Sequence, residues 1–283
     1  MMKIGIGNAP YIKRLGFEKA HEFIRMQGYE CVDYQCFINT GTPLFEKTGR
    51  EFDAEVARHR AVIEANGLEI SQTHAPWRWP AQDAAPEDRA ERFEKMAVSI
   101  RGTALLGCKN FVIHPLLPWL DFAGEPEKLR ELNLEFMSRL CRVAEENGVV
   151  ICFENMPMPR VSMASPEACL NFAREINSPN FKICLDTGHC TMLGVTPGDA
   201  VRMLGKEMLQ VLHVHDNNGQ NDLHWVPCTG TIDWDDFRSA LQEISFDGCL
   251  SLETAPPPKF TGEMLQLQER SLYLSACKLA GRA

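Results

Sequence analysis

The chain has no C-x-x-C pair, no basic cluster larger than a pair such as Lys13-Arg14, and no apolar run near the roughly 18 residues needed to span a bilayer. The first absence removes zinc ribbons and thioredoxin-type redox motifs. The second acts together with a formal net charge of −9, from 38 acidic against 29 basic residues. It disfavours non-specific binding to nucleic acid, where basic side chains must replace counterions along the phosphates. The third removes a transmembrane helix. No charged-then-apolar leader precedes MKIGIG, so no secretory signal is expected. The 11 cysteines are odd in number, and Cys152, Cys184 and Cys249 fall in apolar runs, where cysteine serves as a small hydrophobe. A reduced, cytoplasmic protein is expected.

Motifs for several common chemistries are broken or missing. Gly5-Ile-Gly7 runs into Asn-Ala-Pro and lacks the third glycine of a dinucleotide fingerprint. Gly102 to Gly107 has P-loop spacing, but Cys108 stands where the lysine belongs. No G-x-S-x-G nucleophile elbow occurs.

What the chain does contain is a repeated alternation. KIGIG, CVDYQCF, LEISQTH, NFVIHP, VVICFEN, FKICLDTGH, LQVLHVHD and GCLSLET read as short buried strands. Each precedes a stretch with apolar residues three or four apart, as in Leu129, Leu132, Phe136 and Leu140. Gly28, Gly67, Gly107 and Gly148 sit where helix C-terminal caps belong, and Ser165-Pro166 and Thr196-Pro197 where helices start. Eight such units without a composition shift predict an α/β fold, a single-domain (β/α)8 TIM barrel over residues 1–283. Enlarged loops at 39–50, 76–87 and 215–233 fall on its C-terminal face, where barrel enzymes keep their chemistry.

Six of the eight histidines stand at the ends of these apolar runs: His74, His114, His189, His213, His215 and His224. Glu154, Asp186, Asp216, Asp222 and Glu253 occupy matching places. From His74 to His114, from His114 to Glu154 and from His213 to Glu253 is 40 residues each. From Glu154 to Asp186 is 32, and from Asp186 to His213 is 27. One βα unit takes roughly 30–40 residues, so a polar residue per unit would gather around the barrel axis. Unpaired polar groups at the edge of a core are expensive, and a divalent metal would satisfy them.

Glu154, Asp186, His213 and Glu253 form the expected ligand set. Three carboxylates and an imidazole suit Mn²⁺ or Zn²⁺ first, with Mg²⁺ and Co²⁺ also compatible. Salt bridges at a barrel rim would use the same residue types. His74, His114, His189, Asp222 and His224 are candidates for one or two additional metals or for substrate contacts. His215 is expected to line the pocket.

Trp77 and Trp79 flank Arg78 on a mouth loop, where an aromatic face can stack on a sugar or act as a lid. Arg78 and Arg160 fit either a phosphate contact or a surface role. Cys190 is expected to be a buried neutral thiol beside His189. His21 and His59 lie in helical stretches far from strand ends and are expected to be surface or helix-packing residues.

The motifs HAP, IHP, ENM, LDTGH, His213 to Asp216, Asp222 to His224, GTIDW and LET resemble the xylose-isomerase-like TIM-barrel superfamily. In its sugar isomerase and epimerase branch, the resemblance implies a metal on Glu154, Asp186, His213 and Glu253. Glu154 and Glu253 would then exchange a proton at a substrate carbon through a cis-enediolate, and His189 would bind a substrate oxygen. By their places at the mouth, Trp77 and His215 are further expected substrate contacts. Tagatose-type 3-epimerases carry an arginine six residues after the strand-seven histidine, where Gly219 stands here, which points to a broader isomerase activity.

The endonuclease IV-type branch implies a three-zinc site on His74, His114, Glu154, Asp186, His189, His213, Asp222, His224 and Glu253. The acidic balance and the missing basic stripe count against DNA as partner. His224-Trp-Val-Pro-Cys-Thr-Gly departs from the Gly-x-Gly run usual in both branches. A non-catalytic carbohydrate-binding barrel is the third alternative. The expected partner is a small carbohydrate, with no nucleic acid and no membrane. Related barrels are often homo-oligomers.

Overall fold

The computed structural model describes residues 2–77, 83–118 and 125–282. Eight strands form in the eight expected apolar runs: β1 (Lys3–Gly7), β2 (Cys31–Tyr34), β3 (Glu69–His74), β4 (Asn110–Ile113), β5 (Val150–Glu154), β6 (Phe181–Asp186), β7 (Leu209–His213) and β8 (Cys249–Leu252). They pair in parallel in sequence order, and β8 pairs back onto β1. The remaining seam, between β7 and β8, is joined by a single bridge from Val214 to Leu252. There the Val214 amide donates to Ser251 O at 2.9 Å and the Glu253 amide to Val214 O at 3.1 Å.

The long helices follow the apolar periodicity: α2 (Phe17–Met26), α4 (Gly49–Ala65), α5 (Pro86–Leu105), α6 (Pro126–Asn147), α7 (Pro166–Ile176), α9 (Pro197–Met208), α10 (Trp234–Glu243) and α11 (Gly262–Leu279). Ser165 and Thr196 cap α7 and α9, their hydroxyls accepting from Ala168 N and Asp199 N. Gly148 ends α6 at φ 65°, which a side chain would strain. Three short helices were not expected: α1 (Ala9–Leu15), α3 (Pro43–Glu46) and α8 (Thr187–Met192). At two turns or fewer they carry no readable period.

Strand alternation decides what the barrel encloses. Phe111, Ile151, Phe153, Ile183 and Leu212 join the main core, while Val112, Cys152, Cys184 and Val211 form a separate cluster on four consecutive strands. Those four small side chains face the axis. Two residues further along the same strands, on the same face, come His114, Glu154, Asp186 and His213. The polar layer therefore sits on a small apolar plug at the C-terminal mouth.

His21 and His59 are helix-packing residues, as expected: the Phe17 ring of α2 stacks on His59 of α4 with centroids 3.9 Å apart and lies 4.5 Å from the His21 ring. Both are buried, and both pack against strand ends. His21 contacts Asn8, just beyond β1, at 3.2 Å, and His59 Nδ1 meets the hydroxyl of Tyr34, the last residue of β2, at 2.6 Å. A helix passing over a strand end can send a side chain there, which linear distance from the strand hides.

Candidate metal centre

Glu154 is the hub of the polar layer. Its Oε2 lies 2.8 Å from His114 Nε2 and 3.8 Å from His74 Nε2, and its Oε1 lies 3.0 Å from His213 Nδ1. His213 Nδ1 also faces Glu253 Oε2 at 3.2 Å. One ligand atom from each of Glu154, Asp186, His213 and Glu253 can be chosen with all four within 4.8 Å of one another. The first three side chains are fully buried, or nearly so, and Glu253 is partly exposed at the mouth.

A second cluster adjoins the first. His215 Nε2 approaches Asp186 Oδ2 at 3.0 Å and Asp222 Oδ1 at 3.6 Å. Asp222 Oδ2 faces His189 Nε2 at 3.4 Å and His224 Nε2 at 3.2 Å. The rings of His215 and His224 stack with centroids 4.1 Å apart. His215, expected as pocket lining, is fully buried and bonded to Asp186. His224 adopts φ 47°, a strained backbone for a residue with a side chain, and strain of this kind collects at functional sites.

The donor set fits a cation. Among the described residues, every ion-pair partner of Glu154, Asp186, Asp222 and Glu253 is a histidine. Three of these imidazoles anchor Nδ1 on a backbone carbonyl: His74 on Ala75 O at 2.9 Å, His189 on Asn155 O at 2.7 Å and His224 on Glu253 O at 2.6 Å. With the proton on Nδ1, each Nε2 lone pair points at a carboxylate, and two acceptors in contact need a proton or a cation between them. Metal-binding histidines are commonly held this way.

The electrostatics agree. Burial opposes charge on His189, but Asp186 and Asp222 raise it to about 10. Burial likewise opposes charge on His224, and Asp222 and Glu253 raise it to about 10. Burial works against ionised Glu154, yet His213 and His114 hold it well below the carboxylate range. Glu253 moves the other way, because burial outweighs His213 and His224.

Several residues find other roles. Asp216 turns away from the layer and organises the loop after β7, accepting from the Trp234 indole at 2.8 Å and the Gly230 amide at 2.9 Å. Cys190 is buried, with burial raising its thiol well above the usual range. Trp77 sets its ring edge-on to His114, centroids 4.4 Å apart, at the β3 side of the mouth. Arg160 is exposed. Arg78 and Trp79 lie outside the described residues.

Sequence reasoning passed over Asp33. It is buried in β2, with Oδ2 3.4 Å from His213 Nε2. The signal was present, an acidic residue near a strand end, but no histidine accompanies it in CVDYQ.

The family model for the xylose isomerase-like TIM barrel matches residues 22–271. The chain belongs to this family. An uncharacterized protein of Methanocaldococcus jannaschii is 32% identical over 191 residues, 64% of this chain and 62% of that protein. An inosose isomerase of Bacillus subtilis is 27% identical over 56% of this chain and 59% of its own length. These two matches span less than two thirds of the relatives' lengths. A D-psicose 3-epimerase of Agrobacterium fabrum is 24% identical over 71% of this chain and 69% of its own length.

Solved structures share the fold of this family member along nearly its whole length. A D-tagatose 3-epimerase-like protein superposes with a TM-score of 0.78 at 23% identity, covering 99% of this chain and 97% of its own. The IOLI protein with a binding zinc atom gives 0.73 at 18% identity, covering 99% and 96%.

Proposed function

We propose that this barrel is a metal-dependent isomerase or epimerase acting on a sugar, sugar phosphate or small hydroxy-ketone. The observation that carries the reading is the convergence of Glu154, Asp186, His213 and Glu253 at the barrel mouth, with histidines as their only counter-charges among the described residues. Relatives named inosose isomerase and D-psicose 3-epimerase support the substrate class.

Glu154, Asp186, His213 and Glu253 would hold the divalent cation, Mn²⁺ or Zn²⁺ by the mix of donors, which when bound polarises a substrate carbonyl and acidifies the adjacent C–H. Glu154 and Glu253 each keep a carboxylate at the substrate carbon, one removing a proton and the other returning one. His189, whose Nδ1 donates to Asn155 O, would in its imidazolium form also donate from Nε2 to a substrate oxygen where negative charge develops. His215 holds Asp186 in place from behind. Trp77, beside His114, offers an apolar wall for a sugar face.

The test is exchange of substrate C–H protons with deuterated solvent across a panel of ketoses, aldoses and inososes. Metal-loaded protein should exchange with at least one of them. Silence across the panel would sink the reading.

The remaining histidines of the polar layer and Asp222 favour one alternative. His74, His114, His189, Asp222 and His224 complete the nine-residue set of a three-zinc endonuclease. That reading requires nicking of an abasic duplex, by a chain whose net charge is −9.

A further inference from the structure

His74, His189 and His224 are each fixed by a carbonyl on Nδ1, whereas His213 is turned the other way round. Its Nδ1 faces Glu154 and Glu253, and its Nε2 has no hydrogen-bond partner at ordinary geometry. The group opposite that nitrogen is Asp33 Oδ2, at 3.4 Å. Asp33 is 1% exposed, its Oδ1 is unpartnered, and among the described residues His213 is its only ion-pair partner. Burying a carboxylate so sparsely bonded is unfavourable for folding alone.

The backbone is shaped to put it there. Register between β2 and β3 shifts between Val32 and Asp33, an irregularity of the kind that re-aims a side chain beside an active site. Asn8 N bonds Asp33 O at 3.1 Å, and Gln35 Nε2 approaches Asp33 Oδ2 at 3.5 Å. Gly7, the register partner of Asp33, leaves space for that amide: a Cβ on it would come within 2.7 Å of the Gln35 side chain.

Building on the metal reading above, we propose that Asp33 is a positioning residue that accepts the Nε2 proton of His213. It thereby fixes the tautomer whose Nδ1 lone pair faces the cation held with Glu154, Asp186 and Glu253. A carboxylate behind a ligating imidazole orients the ring and strengthens it as a donor, and its loss commonly weakens metal binding about 10–100-fold.

The experiment is a cobalt titration followed by its visible absorption, alongside melting of the metal-free proteins. Asp33→Ala should bind cobalt about 10–100-fold more weakly than the parent. Asp33→Asn, which keeps an acceptor of the same shape, should fall between the two. Metal-free Asp33→Asn should melt no lower than the parent, which a purely structural Asp33 would not allow. Affinity within twofold of the parent for Asp33→Ala, or an equal loss in both variants, overturns the inference and leaves the metal reading intact. A parent protein that takes up no cobalt overturns the metal reading itself, and this inference with it.

Discussion

Glu154 and His213, 59 residues apart in sequence, meet with Oε1 3.0 Å from Nδ1 under complete burial. A carboxylate and an imidazole so enclosed hold each other's charge, and the same two atoms are the natural jaws for a cation. Glu154→Gln keeps the shape and removes the negative charge. We expect it to lower substrate C–H exchange by about 10²–10⁴-fold, the usual contribution of a positioned acid or base. Exchange at the parent rate would remove Glu154 from the chemistry.

Metal content separates the two functional readings. An isomerase centre on Glu154, Asp186, His213 and Glu253 calls for one ion per chain, and occupation of the His189, Asp222 and His224 cluster as well would raise the count towards three. Elemental analysis after dialysis decides between them. Stripping the ion with a chelator should lower the melting temperature by about 4–5 °C relative to protein with free ion at 100 times its Kd.

Glu269 supplies a pH dependence far from the mouth. It is fully buried in α11, where burial pushes it up to about 7 although Tyr11 donates to it at 2.7 Å. Its folded value lies above its unfolded one, so the favourable contribution of the protonated form is complete below about pH 4.5 and is lost as pH rises through 7. Glu269→Gln should therefore match the parent near pH 4 and exceed it by roughly 3 kcal/mol at pH 8. Urea unfolding at both values measures this, and a constant difference across the range would contradict it.

Gly188 is held to its identity by His215. A Cβ there would fall 2.0 Å from His215 Cε1, and that ring is buried between Asp186 and the face of His224. Gly188→Ala should cost about 1–3 kcal/mol in urea unfolding, as overpacked cores do. It should also disturb Asp186, so cobalt affinity should fall with it. An unchanged unfolding midpoint would mean that the ring has room to move.

The barrel was legible because each unit repeats the same instruction: an apolar strand, a polar residue at its end, and a helix with a period of its own. Glu154, Asp186 and His213 could be placed from that rhythm, since each is the last residue of its strand. Three kinds of fact escaped it. Asp33 lies in a strand whose register shifts beside it, and pattern alone does not reveal such an irregularity. His21 and His59 reach strand ends from helices, a tertiary relation with no linear signature. Asp216 shares its segment with the site histidines but bonds Trp234, 18 residues onward, because the loop folds back over it.

The β7–β8 seam has a kinetic meaning. Among the described residues, the backbone closure there is the single bridge at Val214, made of two amide bonds. His213 immediately precedes Val214, and Glu253 itself donates one of those bonds. Local opening begins where few backbone bonds must break. The amides of Val214 and Glu253 should then exchange with solvent before those of β5 and β6, and an ion bridging His213 and Glu253 would slow them selectively. With the proposed ligands on opposite lips of the seam, cation binding and barrel closure would be one event.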